Sequence, residues 1–123
     1  MSSCNDQKIW VATSEQLKEG AYLRTNIRFA GEHIAVLVFR FKGQCLAYRN
    51  LCVHMPRELD CEKDMIFDEA GEYLRCSMHG IVYDPLNGEC ASEICAGKRL
   101  TPIALVEDAE GIWISDRMAV SAA

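Results

Sequence analysis

Two short segments, Cys52-Val53-His54 and Cys76-Ser77-Met78-His79, constrain this chain more than any other feature of its sequence. Each puts a thiol and an imidazole on one tight stretch of backbone, and together they use two of the three histidines. A four-ligand Cys₂His₂ set drawn from two places requires a fold that brings two loops to one point. Such a set suits either a tetrahedral zinc or an iron–sulfur centre with mixed ligation, and residue type does not choose between them. Spacing bears on the choice. Zinc sites built in the finger manner hold paired cysteines about two to four residues apart, whereas a centre of two irons takes both thiolates on one metal and both imidazoles on the other.

The chain around these boxes has 123 residues, the length of one domain with one core. Half of it is apolar and a quarter charged, so it is neither disordered nor fibrous. The longest apolar run, Ile34 to Phe41, is interrupted by Arg40 and has the length of a strand, so no membrane span is expected. Met1 to Asp6 carries neither a basic segment nor an apolar run, and a cytoplasmic location is the expectation. Seven cysteines is an odd number, and in a reducing compartment clustered cysteines point to metal or redox chemistry. A net charge of −5 argues against a nucleic-acid partner. Between Glu58 and Glu72 lie seven acids and one base, a local −6 that leaves +1 for the rest of the chain.

Short strands and tight turns recur throughout. Lys8 to Thr13 reads as a strand, followed by a capping-like Ser14 and a polar turn to Gly20. Tyr22 to Phe29 and Ile34 to Phe41 read as a hairpin about Ala30-Gly31-Glu32-His33, and Lys42-Gly43-Gln44 turns the chain into Cys45 to Arg49. Two more hairpins turn at Asp68 to Gly71 and at Asp108 to Gly111. With no amphipathic helix longer than two turns, the fold class is all-β, and residues 1–123 read as a single domain with frayed ends at about 1–7 and 117–123.

Cys52-x-His54, then after 21 residues Cys76-x-x-His79-Gly80 and Tyr83-Asp84-Pro85-x-x-Gly88, resembles the Rieske [2Fe–2S] family, specifically its small soluble ferredoxin-like members. The likeness runs from about Ile9 to Ser115. It implies a Rieske-like arrangement of small antiparallel sheets, with a cluster-binding subdomain formed by two ligand loops. It also implies one [2Fe–2S] cluster, with Cys52 and Cys76 on the inner iron, His54 and His79 on the outer, and Gly80 and Tyr83 in support. The hydroxyl of Tyr83 falls where that family directs a tyrosine to a cysteine sulfur. Three departures stand out. Pro56 or its neighbours and Met78 fill the positions where high-potential relatives carry a bracing disulfide, Ile81 replaces their serine donor, and Met55 to Asp64 extends the segment between the boxes. Hydrogen bonds to sulfur stabilise the reduced centre, so losing one donor implies a lower potential than in those relatives.

The remaining cysteines, Cys4, Cys45, Cys61, Cys90 and Cys95, read as unliganded thiols. Cys90 and Cys95 have the spacing that opens a plant-type ferredoxin motif, but the next ligand position is Lys98. Their loop, Glu89 to Gly97, falls where the family places a third loop over its cluster. His33 reads as an exposed turn residue. Since a mononuclear oxygenase iron needs two more histidines and only His33 remains, a self-contained oxygenase is excluded. The resemblance therefore implies a soluble one-electron carrier between a reductase and an oxygenase or other redox enzyme. A redox-sensing or nitrite-reductase-like subunit and a structural zinc module are the alternatives.

Overall fold

A computed structural model describes residues 8–52, 58–60, 65–76 and 81–121. Nine strands follow in order among them: β1 (Ile9–Ala12), β2 (Tyr22–Phe29), β3 (Glu32–Phe41), β4 (Gln44–Arg49), β5 (Leu74–Arg75), β6 (Val82–Tyr83), β7 (Leu105–Asp108), β8 (Gly111–Ile114) and β9 (Ala119–Ser121). They form antiparallel sheets in the orders β1-β8-β7, β4-β3-β2-β9 and β5-β6. The only helical pieces among the described residues are single 3₁₀ turns at Ser14–Gln16 and Glu93–Cys95. The all-β expectation holds. No helix among the described residues is long and apolar enough to cross a membrane.

The chain divides into two compact units, Met1–Ala47 with Ile103–Ala123, and Tyr48–Pro102. The first is built on the β2–β3 hairpin. Ala30 and Gly31 both have positive φ (52° and 85°), as do Lys42 and Gly43 (51° and 82°) in the turn between β3 and β4. Two-residue turns of this hand match the twist of paired strands, which is why such short connections suffice. The turn into β3 is thus Ala30-Gly31 alone, and Glu32 and His33 belong to the strand. Period-two alternation puts Ile34, Val36 and Val38 on one face of β3, where they join Ile27, Ile112 and Ile114 in the core of this unit. Two expectations are corrected. The cap of the first 3₁₀ turn is Thr13 rather than Ser14, with the Thr13 N–H donating to Gln16 Oε1 at 2.8 Å. The end expected to fray from 117 instead supplies β9, whose Ala119 pairs with Phe29, because β2 otherwise presents an unpaired edge.

The second unit holds β5, β6 and the boxes. Its entry and exit are pinned together, with Tyr48 bridged to Pro102 and the Arg49 N–H donating to Thr101 O at 2.9 Å. Asp68 organises the hairpin before β5, its side chain accepting the N–H groups of Glu72 and Tyr73.

Candidate metal centre

β4 delivers the first box. After Arg49 the chain reaches Asn50, the one buried polar residue among those described, 3% exposed. Its Nδ2 donates to Asp60 Oδ1 at 3.0 Å and its Oδ1 accepts the Leu59 N–H at 2.8 Å. One amide side chain therefore joins the chain just before Cys52 to Leu59 and Asp60 within the inter-box segment, and a buried amide so satisfied fixes one geometry.

Cys76, the first residue of the second box, directly follows β5. Leu74 faces Tyr83, Arg75 faces Val82, and beyond them the Cys76 N–H donates to Ile81 O at 2.8 Å. That bond joins the two residues that flank the stretch 77–80. Cys52 and Cys76 are both buried, 3% and 1% exposed, and neither is in a disulfide. Tyr83 is fully buried, and its hydroxyl lies 3.1 Å from Cys52 Sγ. A side chain from the strand following the second box thus reaches the sulfur of the first. With Cys52 as a thiolate the phenol is the donor, an arrangement that favours charge on sulfur.

The Tyr83-Asp84-Pro85-x-x-Gly88 stretch has a physical explanation. Asp84 Oδ1 accepts the Leu86 N–H at 2.9 Å, and Asp84 O accepts the Gly88 N–H at 2.7 Å, closing a turn around Pro85. The Tyr48 hydroxyl donates to Pro85 O at 2.9 Å, and burial, with Asp84 nearby, pushes the Tyr48 pKa up to about 12. Gly88 has φ +76°, and a Cβ there would meet Tyr48 Cε1 at 2.8 Å, so handedness and space both require glycine.

Of the residues singled out in the sequence, Cys52, Cys76, Tyr83 and Ile81 are brought into one unit. His54, His79 and Gly80 lie outside the described residues, as do Pro56, Met78, Cys4 and Cys61. His33 is exposed on β3, where its Nε2 accepts from Arg28 Nη2 at 3.3 Å. Cys45 is half-buried, and burial pushes its thiol up to about 11. The reading of Cys90 and Cys95 as thiols is corrected: they form a disulfide with Cα atoms 5.8 Å apart. The 3₁₀ turn Glu93–Cys95 brings the chain back on itself and makes that approach possible. Asn50 and Tyr48 were not singled out by sequence. The signal for Asn50 was a lone amide between the strand residues of β4 and the first cysteine.

A family profile for the Rieske [2Fe–2S] domain matches residues 7–109. No curated protein matches the chain by sequence. Among solved structures it is similar to the ferredoxin of carbazole 1,9a-dioxygenase from Nocardioides aromaticivorans IC177, with 25% identity and a TM-score of 0.68 over 90% of this chain and 99% of that one. A complex of reduced oxygenase and oxidized ferredoxin in carbazole 1,9a-dioxygenase matches with 21% identity and a TM-score of 0.69, over 89% and 94%. The reduced complex between oxygenase and ferredoxin matches at 18% identity and a TM-score of 0.66, covering 90% of this chain but 28% of that one. The last two likenesses speak to fold alone.

Proposed function

The chain belongs to the Rieske [2Fe–2S] domain family, and from that membership we propose that it is a ferredoxin component, carrying one electron at a time from a reductase to an oxygenase. The family binds one [2Fe–2S] cluster, which when bound takes up and gives back a single electron. The donor set fits such a group. Cys52 and Cys76 would hold one iron and His54 and His79 the other, by the match of the two boxes to the family pattern.

The observation that carries this reading is the Tyr83 hydroxyl 3.1 Å from a buried Cys52 sulfur. A structural thiol in an apolar site has no need of a donor. A thiolate that gains negative charge on reduction does. The chain's own residues do three things here. Asn50 and the Cys76–Ile81 backbone bond fix the chain beside Cys52 and at Cys76, burial keeps water from the cysteine sulfurs, and Tyr83 stabilises charge on Cys52. The protein is a carrier and not itself the oxygenase. The reading includes a cytoplasmic location, which cell fractionation tests.

The test is the iron and sulfide content of anaerobically purified protein, with its visible and electron-spin spectra. Two irons and two sulfides per chain, lost with Cys52→Ala or Cys76→Ala, are expected. Stoichiometric zinc without sulfide would overturn the assignment.

A further inference from the structure

We propose that Cys90 and Cys95 are a second redox site of this chain, a dithiol–disulfide couple that exchanges with a low-potential dithiol and, through β6, sets the hydrogen bond Tyr83 makes to Cys52. The Cys52 end of this inference rests on the ferredoxin reading. The thiol chemistry does not.

Three observations connect the disulfide to Tyr83. Cys90 is bridged antiparallel to Tyr83, and flanking bonds run from Asp84 N–H to Glu89 O and from Ala91 N–H to Val82 O, each 2.8 Å. Within the ring that the disulfide closes, the Ser92 hydroxyl oxygen accepts the Val82 N–H at 3.1 Å. The far side is held by Cys90 N–H to Lys98 O at 2.9 Å and Lys98 N–H to Cys95 O at 3.0 Å. The disulfide therefore fastens a loop that is attached at Cys90, Ala91 and Ser92 to the backbone of β6, the strand that carries Tyr83.

The bond spans only five positions, so it restricts the unfolded chain little and contributes correspondingly little to global stability. In a reducing compartment, disulfides that do form are mostly transient and redox-active. Access is one-sided: Cys90 is half-buried, while Cys95 is 2% exposed. The thiolate of the incoming dithiol attacks Cys90 Sγ, and Cys95 leaves as a thiolate and takes up a proton. The second thiol of the reductant then attacks the mixed disulfide. Cys90 is released as a thiol, and the reductant leaves as its own disulfide, two electrons and two protons having passed to this chain.

The cluster-loaded, full-length protein would be equilibrated with dithiothreitol at graded reduced-to-oxidised ratios and quenched with iodoacetamide, and the modified cysteines mapped by mass spectrometry. Cys90 and Cys95 should become alkylated together, in one reversible two-electron transition. Alkylation of both at every ratio, or of neither in excess dithiol, would overturn the proposal. Voltammetry then compares the closed form, the opened and alkylated form and the double variant Cys90→Ser/Cys95→Ser. The two opened forms should show a lower cluster potential, by no more than the shift that Tyr83→Phe produces, and in a Tyr83→Phe background the difference should vanish. Equal potentials for closed and opened wild type would overturn the coupling. Failure of the ferredoxin reading is seen separately, as absence of iron and sulfide, because the alkylation pattern reports only the chain's own sulfurs.

Discussion

At the scale of single residues, the environment of Cys52 yields two predictions. The Tyr83 hydrogen bond is worth about 1 kcal/mol in differential stabilisation of the reduced state, which for one electron is about 40 mV. Tyr83→Phe should lower the potential by roughly that amount, read by voltammetry. Ile81→Ser should raise it, since Ile81 is buried directly after the second ligand loop and its backbone bond to Cys76 survives the change. A wild-type value equal to that of the disulfide-braced, high-potential members would refute this hydrogen-bond account. Asn50→Ala removes both halves of a buried clamp and leaves the Leu59 N–H unsatisfied, at a cost of about 1–3 kcal/mol. Faster iron loss during gel filtration should accompany it.

Among the elements, β7 is tied to β3 and to the first 3₁₀ turn by Glu107. Arg40 Nη2 donates to its Oε2 at 2.7 Å, and the Ser14 hydroxyl donates to the same oxygen. The Arg40 bond first, then that of Ser14, lowers the Glu107 pKa from 4.5 to about 2. The stabilisation is therefore complete above pH 4.5 and lost as pH falls toward about 2. Glu107→Gln should cost about 0.2–1 kcal/mol at neutral pH, the range of exposed ion pairs, and should flatten the fall of Tm across that acid window. Elements were the most legible level of the sequence. Alternation and glycine turns located β1, β2, β3, β4, β7 and β8 to within a residue or two, because each hairpin is fixed by local chemistry. Two things escaped: Ala119–Ser121 are a strand only because the distant β2 offers an edge, and Cys90 and Cys95 come together through a short 3₁₀ turn that residue types alone do not announce. Cys52 and Cys76 were singled out by the spacing of their boxes and are found buried in one unit, whereas Asn50 acquires meaning only once Asp60 and Leu59 are beside it.

For the whole molecule, charge is the relevant quantity. Seven of the eighteen acids fall between Glu58 and Glu72, next in sequence to the first box. Such a patch would steer a basic partner and raise association rates, an effect that fades as the screening length shrinks to about 8 Å at physiological salt. Asp60 is bonded to Asn50 and Asp68 to its own hairpin, so neither can be neutralised without structural cost. The variant that leaves both of those bonds in place is Glu69→Gln/Glu72→Gln. Its electron-transfer rate with the reductase should fall at low salt and converge with wild type at high salt. An unchanged rate and salt slope would reduce the patch to a solvated face.

The Ile103 N–H donates to Ala47 O at 3.0 Å, immediately outside the bridge that joins Tyr48 to Pro102. To a folding chain, everything from Tyr48 to Pro102 is then a single excursion whose two feet stand side by side. Closing such an excursion costs entropy that grows only logarithmically, about 0.6 kcal/mol for each doubling of its length. Lengthening or trimming the stretch from Met55 to Asp64 therefore changes the cost of closing the excursion at its paired feet by only a fraction of that amount.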